Sequence, residues 1–550
     1  MTRRARALVV AIAVVSGCTL EFPIELALDG GTPPLDAGPP PEGEPLACAG
    51  TGTLGFVGTE PIPQRPEYPG GFAVDVAFGD FGGDGPNEGL LLKEIGLGAT
   101  KGDGPFIVSF GTESCSPERS GESAMFDGLD RRAVDRAWVT DLDGATAVVA
   151  LDDEGPPTIA TLARGAIDFE HAAAIEGALA AETALRGAAA GDVDGDGVVD
   201  LVLVGDDHAT VLRLGLGAGD PEHAHRIELP HAGRAVLADF DRDGHLDLLA
   251  GPDVGTAPPA PAAELRGAVL LGDGAGAFGS PTPLDTLALM GPFAVLDVDR
   301  DGDPDLVQWR RPDEASGGEP FGEPVLELLR NASSAGSVSF GAPIPIAGDD
   351  ARGETPLAGT LAVGDLDLDG WVDATTLGTS GGVLVARGGA TPALVTLPRD
   401  PARPDLSSMP APRVAIGDAD HDGDPDLLAL FTDDVNTYYR FLLGDVGAAR
   451  AIVVRLSGVA IAGSEACLAP VGALPADGGC GGTADVILAH HVSIASTVQR
   501  GYGTEIVLGV PVPHDVVDLR VLVRARGGAR AHDVAGLRAG NRYALELGPR

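Results

Sequence analysis

The stretch Asp192-Val-Asp-Gly-Asp-Gly-Val-Val-Asp200 sets an acid at positions 1, 3, 5 and 9 of nine residues and a glycine at position 6. The phrase returns from Asp239 (DFDRDGHLD), Asp297 (DVDRDGDPD), Asp365 (DLDLDGWVD) and Asp418 (DADHDGDPD), so twenty aspartates stand in one register. Carboxylates at positions 1, 3 and 5 converge on a point only when the backbone curls tightly, and a glycine at position 6 permits that curl. The side chains so gathered are Asp192, Asp194 and Asp196; Asp239, Asp241 and Asp243; Asp297, Asp299 and Asp301; Asp365, Asp367 and Asp369; and Asp418, Asp420 and Asp422. The position-7 carbonyls of Val198, His245, Asp303, Trp371 and Asp424 and the position-9 carboxylates of Asp200, Asp247, Asp305, Asp373 and Asp426 would complete an all-oxygen shell. Such a shell suits a hard cation, calcium above all, and not zinc or copper.

The first six positions also match an EF-hand loop, but that motif requires a bidentate Glu at position 12 and a helix on each side. Position 12 holds Leu203, Ala250, Gln308, Thr376 and Ala429. The flanks are short apolar runs, Val236-Leu237-Ala238 before a loop and Leu248-Leu249-Ala250 after it, with turn residues close behind. Runs of that length between turn signals read as strands, so each loop is expected to be the bend of a β-hairpin.

Loop starts lie 47, 58, 68 and 53 residues apart, room for about four short strands per unit. Two eroded copies extend the series upstream: DFGGDGPNE from Asp80 lacks the acid at position 3, and DLDGATAVV from Asp141 lacks those at positions 5 and 9. Counting them gives seven units.

These repeats resemble the FG-GAP/VCBS repeats of integrin-α-type β-propellers, a likeness that extends to LLGDGAGAFGSP at Leu270–Pro281 and LLRNASSAGSVSFGAP at Leu328–Pro343. The resemblance implies an all-β fold with seven four-stranded blades over residues 48–447, about five calcium sites in blade hairpins, and ligands bound on the face away from them. Ring closure is expected from Thr51–Val57 pairing into the last blade, with Ile452–Leu456 as the alternative. After residue 447 the phrase stops, and a smaller β-rich domain is expected over 448–550. Its Gln499–Val510, Asp518–Val534 and Ala539–Leu547 stretches are similar to the ASPIC/UnbV domain, although Arg524-Ala-Arg-Gly527 stands where that family has a Trp-Pro-x-Gly element.

Residues 1–17 read as a secretion signal, with Arg3, Arg4 and Arg6 before an apolar Ala7–Val15 run too short to span a bilayer. Val15-Ser-Gly-Cys18 resembles a bacterial lipobox, which implies a lipid on Cys18 and sorting to an outer membrane or cell surface. Residues 18–47, rich in Pro and Gly, read as an extended tether. The lipid would then be the only membrane contact. Cys48, Cys115, Cys467 and Cys480 form an even set in an exported chain, which suggests two disulfides. Cys467–Cys480 closes a short loop, and Cys48–Cys115 would then tie the propeller's entry to its first blades; sequence leaves all three pairings open.

The formal net charge of −44 makes nucleic acid an improbable partner and suits a solvated acidic surface. Catalytic signals are weak. Gly378-Thr-Ser380-Gly-Gly382 has the pattern of a nucleophile elbow but joins two apparent strands, where a tight turn is expected. His223, His225 and His231 offer no planned tetrahedral metal set, His490 and His491 lack a nominated partner, and His245 and His421 fall in the loops as non-ligand side chains. The reading is a surface-displayed, calcium-stapled propeller that binds a protein or glycan. A polysaccharide-active enzyme and a passive envelope scaffold remain as alternatives.

Overall fold

In the computed structural model each nine-residue loop joins two antiparallel strands. Leu185–Gly191 pairs with Asp200–Gly205 across the first loop, and Gly191 faces Asp200. The same relation of the residue before position 1 to position 9 recurs as Ala238 with Asp247, Leu296 with Asp305, Gly364 with Asp373 and Gly417 with Asp426. The structure describes residues 41–46, the strands between residues 56 and 161, and most of residues 185–547. Among the described residues the strands carry the fold, and none forms an α-helix.

Seven sheets follow one another along the chain as the blades of a β-propeller. The third blade runs Leu185–Gly191, Asp200–Gly205, His208–Leu212, Ala224–Glu228, and its strand order is its sequence order. Blades four, five and six repeat that order from Arg234–Ala238, Phe293–Leu296 and Ala362–Gly364. The first blade is built from Ala73–Gly79, Glu88–Lys93, Phe106–Phe110 and Arg119–Ser123, and the second shows three strands among the described residues.

In the seventh blade Arg413–Gly417, Asp426–Thr432 and Thr437–Gly444 are completed by Phe56–Gly58, which pairs antiparallel with Leu442–Gly444. The amino-terminal side of the repeats thus closes the ring, by residues 56–58. Closure removes the open edge that a sheet would otherwise offer to other chains. Arg413–Gly417 then lies beside Ala73–Gly79.

The apolar runs are continuous because a blade is covered on both faces. Leu201, Val202, Leu203 and Val204 are all fully buried, two against the fourth blade and two toward the third blade's other side. Apolar side chains fill much of the layers between blades: Val236, Ala238 and Phe240 pack with Phe293, Val295 and Phe340, the rings of Phe240 and Phe340 edge to face at 5.9 Å. Each such Leu or Phe contributes about 1.5–3 kcal/mol on burial.

Residues after the last blade form two more four-stranded sheets. One holds Ala451–Ser457, Glu505–Gly509, Asn541–Glu546 and Glu44–Pro45; the other holds Ser464–Pro470, Ala489–Ile494, Val516–Ala525 and Gly528–Arg538. Glu44–Pro45 falls within the segment expected to be tether, and it pairs with Asn541 and Arg542. Ile452, Val454, Leu519 and Tyr543 of these sheets share one apolar cluster with Leu366, Leu368 and Ile416 of the propeller. The Cys467–Cys480 disulfide is formed. Cys48, Cys115, Cys18 and the leader lie outside the described residues. So does Asp80, while Asp141 sits inside a strand: Arg136–Leu142 and Ala145–Leu151 are joined by two residues, with Asp141 opposite Thr146, leaving no room for a nine-residue loop.

Candidate metal centres

Each loop is wound around its first aspartate. In the first, Asp192 Oδ1 accepts the Asp196 amide at 3.1 Å and Oδ2 accepts the Gly197 amide at 2.9 Å. Oδ2 of Asp239, Asp297, Asp365 and Asp418 likewise accepts the position-6 glycine amide, at 2.9 to 3.2 Å. The position-7 amide donates in turn to Oδ1 of position 5 in all five, from Val198 to Asp196, His245 to Asp243, Asp303 to Asp301, Trp371 to Asp369 and Asp424 to Asp422.

This winding needs two left-handed residues. The position-6 glycines have φ between 87° and 92°. Position 4 is left-handed as well, at Gly195, Arg242, Arg300, Leu368 and His421, with φ between 53° and 70°. Four of those five carry a Cβ, which costs roughly 1–3 kcal/mol each and persists only where the surroundings compensate.

Position 9 braces the loop to the sheet. Asp200 takes the Val193 amide on Oδ2 and the Leu214 amide on Oδ1. Asp247 does so with Phe240 and Gly272, Asp305 with Val298 and Asn331, Asp373 with Leu366 and Gly388, and Asp426 with Ala419 and Gly444. One carboxylate thus ties the start of its loop to the end of the blade's third strand, a second task beside any ligand role. The phrase carried this signal, since only an acid at that spacing accepts both amides.

Carboxylate oxygens gather within 4.8 Å of one another in four loops: Asp192 with Asp194 and Asp200, Asp239 with Asp241 and Asp243, Asp297 with Asp299 and Asp305, and Asp365 with Asp367 and Asp373. Each group could hold a metal ion. Oδ1 of Asp297, Asp299 and Asp367 is buried without a hydrogen-bond partner among the described residues. An ionised oxygen in that state is costly unless a cation meets it, so the donor set fits a hard divalent ion. Asp420 of the fifth loop lies outside the described residues, and there Asp418 is grouped with His421 and Glu505.

Electrostatics point the same way. Burial pushes Asp192 up to about 7 and Asp200, Asp247 and Asp305 up to about 8, and the neighbouring carboxylates add to the rise. Asp365 and Asp373 are held well above the usual carboxylate range for the same two reasons. Asp239 is raised by burial but only to about 6, because Arg524 opposes it.

Neighbouring loops are linked by their position-4 arginines. Arg242 donates to the Asp301 carbonyl and pairs with Asp303 in the next loop, and Arg300 donates to the Asp369 carbonyl while its guanidinium lies 3.6 Å over the Trp371 ring. Arg330 and Arg387, at the ends of third strands, pair with Asp299 and Asp367 at 2.6 and 3.0 Å. The two glycine-rich stretches lean on preceding loops: the Gly276 amide donates to the Val193 carbonyl, and the Gly336 amide to Asp241 Oδ2.

Some partners gave no signal in the sequence. Arg524 and Arg542 pair with Asp239 and Asp418 at 3.0 and 2.6 Å, the Gly509 amide meets Asp365 Oδ2 at 2.9 Å, and His490 Nδ1 meets Asp297 Oδ2 at 2.6 Å. His490 therefore has a loop partner, together with Glu465 on its other nitrogen at 3.3 Å. Burial opposes its charge, but those two carboxylates prevail and hold it at about 9, while Glu465 is drawn down to about 2 against its burial by Arg524 and His490. His491 is pushed by burial to about 3. The Gly378 amide donates to the Gly382 carbonyl at 2.8 Å between two antiparallel strands, which is no strand-to-helix elbow, and Ser380 lies outside the described residues. His225 sits on an exposed strand, and His223 and His231 lie outside the described residues.

Residues 192–250, which hold the first two loops, match the family model described as an FG-GAP-like repeat. No curated protein matches the chain. Among solved structures the chain is similar to BBS1N in complex with ARL6DN, at 10% identity over 70% of this chain and 96% of that one, TM-score 0.39. It is similar to the V. cholerae biofilm matrix protein Bap1 at 13% identity over 90% and 85%, TM-score 0.30. A post-proline cleaving enzyme from Rickettsia typhi matches at 10% identity over 65% and 50%, TM-score 0.30.

Proposed function

We propose that the protein is a calcium-stapled β-propeller, displayed on the bacterial surface by a lipid on Cys18, which binds a protein or glycan. The observation that carries the metal reading is the set of buried, unpartnered oxygens of Asp297, Asp299 and Asp367 inside gathered carboxylates. Aspartates at positions 1, 3, 5 and 9 and the position-7 carbonyl would hold the ion. Calcium there supplies charge neutralisation and structural order.

Strand order supports placing the binding surface at the other face. Connections from first to second strand carry the metal loops, so in an up-and-down blade the second-to-third connections and those between blades leave from the opposite end. Residues 252–267, 311–324, 346–361 and 397–412 are connections of that kind, and long ones. Loops positioned by a rigid scaffold are where recognition residues concentrate. The residues after the last blade are assigned here to an ASPIC/UnbV-like domain.

The test is a panel of immobilised polysaccharides and purified surface proteins, probed with the full chain and with a variant whose residues 398–411 are replaced by a short Gly-Ser connection. The variant should lose capture while keeping its melting temperature. Capture by neither protein across the panel sinks the binding-module reading, and release of sugar products would replace it with the enzyme alternative.

A further inference from the structure

The second oxygen of the first aspartate is treated alike in four loops. Asp239 Oδ2 takes the Gly244 amide and Arg524 Nη1; Asp297 Oδ2 takes the Gly302 amide and His490 Nδ1. Asp365 Oδ2 takes the Gly370 and Gly509 amides, and Asp418 Oδ2 takes the Gly423 amide and Arg542 Nη2. Every second donor comes from the two sheets after the last blade. Four different segments supply them: the strands of Arg524, His490 and Arg542 and the strand end at Gly509.

The position-6 glycines record the same contact independently. A Cβ on Gly302 would lie 2.3 Å from Gly481 Cα, one on Gly370 2.2 Å from the Leu488 carbonyl oxygen, and one on Gly244 2.9 Å from Gly528 Cα. A Cβ on Gly509 would lie 2.1 Å from Asp365 Oδ2. The first loop differs: a Cβ on Gly197 meets nothing within 4 Å, and among the described residues Asp192 accepts only from its own loop.

We infer that the two carboxy-terminal sheets are latched to the propeller through the first aspartates of loops two to five, so that cation occupancy of those loops and docking of the sheets reinforce each other. The inference rests on the calcium reading above. Two effects compete. Arg524, Arg542 and the His490 imidazole between its two carboxylates reduce the negative charge that attracts the ion, yet all three approach Oδ2, and Asp297, the partner of His490, leaves Oδ1 open to the cluster. In the fourth loop the outer donor is a neutral amide, which adds no positive charge of its own. Orientation wins, because outer partners of metal-ligating carboxylates typically contribute ten- to hundredfold in affinity. By reciprocity, about tenfold at each of four loops amounts to about ten-thousandfold on the docking equilibrium.

The experiment combines calcium titration calorimetry with hydrogen exchange on the full chain and four variants. Arg524→Met and Arg542→Met should each weaken one class of site by about ten- to hundredfold while the number of ions held by the remaining loops stays unchanged. Chelation should deprotect Glu505–Gly509 and Asn541–Glu546 together with the loops. Asp192→Asn should lose one ion and leave all of these strands protected, whereas Asp297→Asn should lose one ion and loosen Ala489–Ile494, the strand that carries His490. The latch is overturned if calcium binds but the carboxy-terminal strands keep their protection on chelation, or if the arginine variants bind as the unaltered chain does. No calcium uptake by the unaltered chain overturns the calcium reading, and the latch with it.

Discussion

His490 Nδ1 lies 2.6 Å from Asp297 Oδ2, across 193 residues of sequence, with both side chains fully buried. A histidine from the last sheets thus ends on the carboxylate that begins a metal loop. Glu465 holds its other nitrogen and is itself paired with Arg524, which reaches Asp239 of the preceding loop. Two loops and one sheet share a single buried network, in which removing one partner would leave a buried charge uncompensated.

In chelator, stability should fall as pH rises. Asp192, Asp200, Asp247 and Asp305 bind protons more tightly folded, at about 7 to 8, than unfolded, near 3.8. Groups raised in this sense stabilise the fold below the unfolded value and lose that contribution as pH passes the folded one. The melting temperature without metal should therefore drop between about pH 4 and about pH 8, and saturating calcium should abolish the drop. A metal-free melting temperature that is flat or rising over that window would count against the buried clusters.

The loop glycines should differ in cost. Gly302→Ala and Gly370→Ala place a Cβ at φ 90° and 87° and also drive it into backbone at 2.3 and 2.2 Å. Gly197→Ala meets only the conformational strain, roughly 1–2 kcal/mol. Urea denaturation with calcium present should show the first two losing clearly more than the third; equal losses would mean that the sheets do not press on the loops.

Much of this was legible in the sequence. Asp-x-Asp-x-Asp-Gly-x-x-Asp announced the hairpins because position 6 had to be glycine, and the closing strand followed from the need to remove an edge. Position 4 escaped notice since Arg242, Arg300, Leu368 and His421 carry no mark of left-handed backbone. The outer donors escaped too. Arg524 sits in an alternating strand with no local feature that sets it apart, and its partner is 285 residues away. Contacts between distant elements depend on how sheets dock, which short-range spacing does not encode.

Removing the disulfide should be moderately destabilising. Cys467 and Cys480 are 13 residues apart, and closing a loop of that size is worth about 3 kcal/mol. Replacing both by Ser should lower the melting temperature without changing the number of calcium ions bound. A lost ion would show that the bridge supports a loop directly.

Chelation should act unevenly along the ring. Hydrogen exchange should rise in the loops from Asp192 onward more than in Ala73–Gly79 and Arg136–Leu142, whose hairpins belong to the eroded copies. At calcium about a hundredfold above the dissociation constant, each occupied site stabilises by about 2.7 kcal/mol. Uniform deprotection across all seven blades would contradict site-by-site stapling.

If the repeated aspartates hold calcium as folding energy, titration calorimetry of the full chain, with melting temperatures before and after chelation, will register both the ions and their contribution to stability. Five occupied loops should take up about five ions, and their removal should lower the melting temperature by a large amount. No uptake, or a single ion with no thermal effect, would contradict calcium stapling.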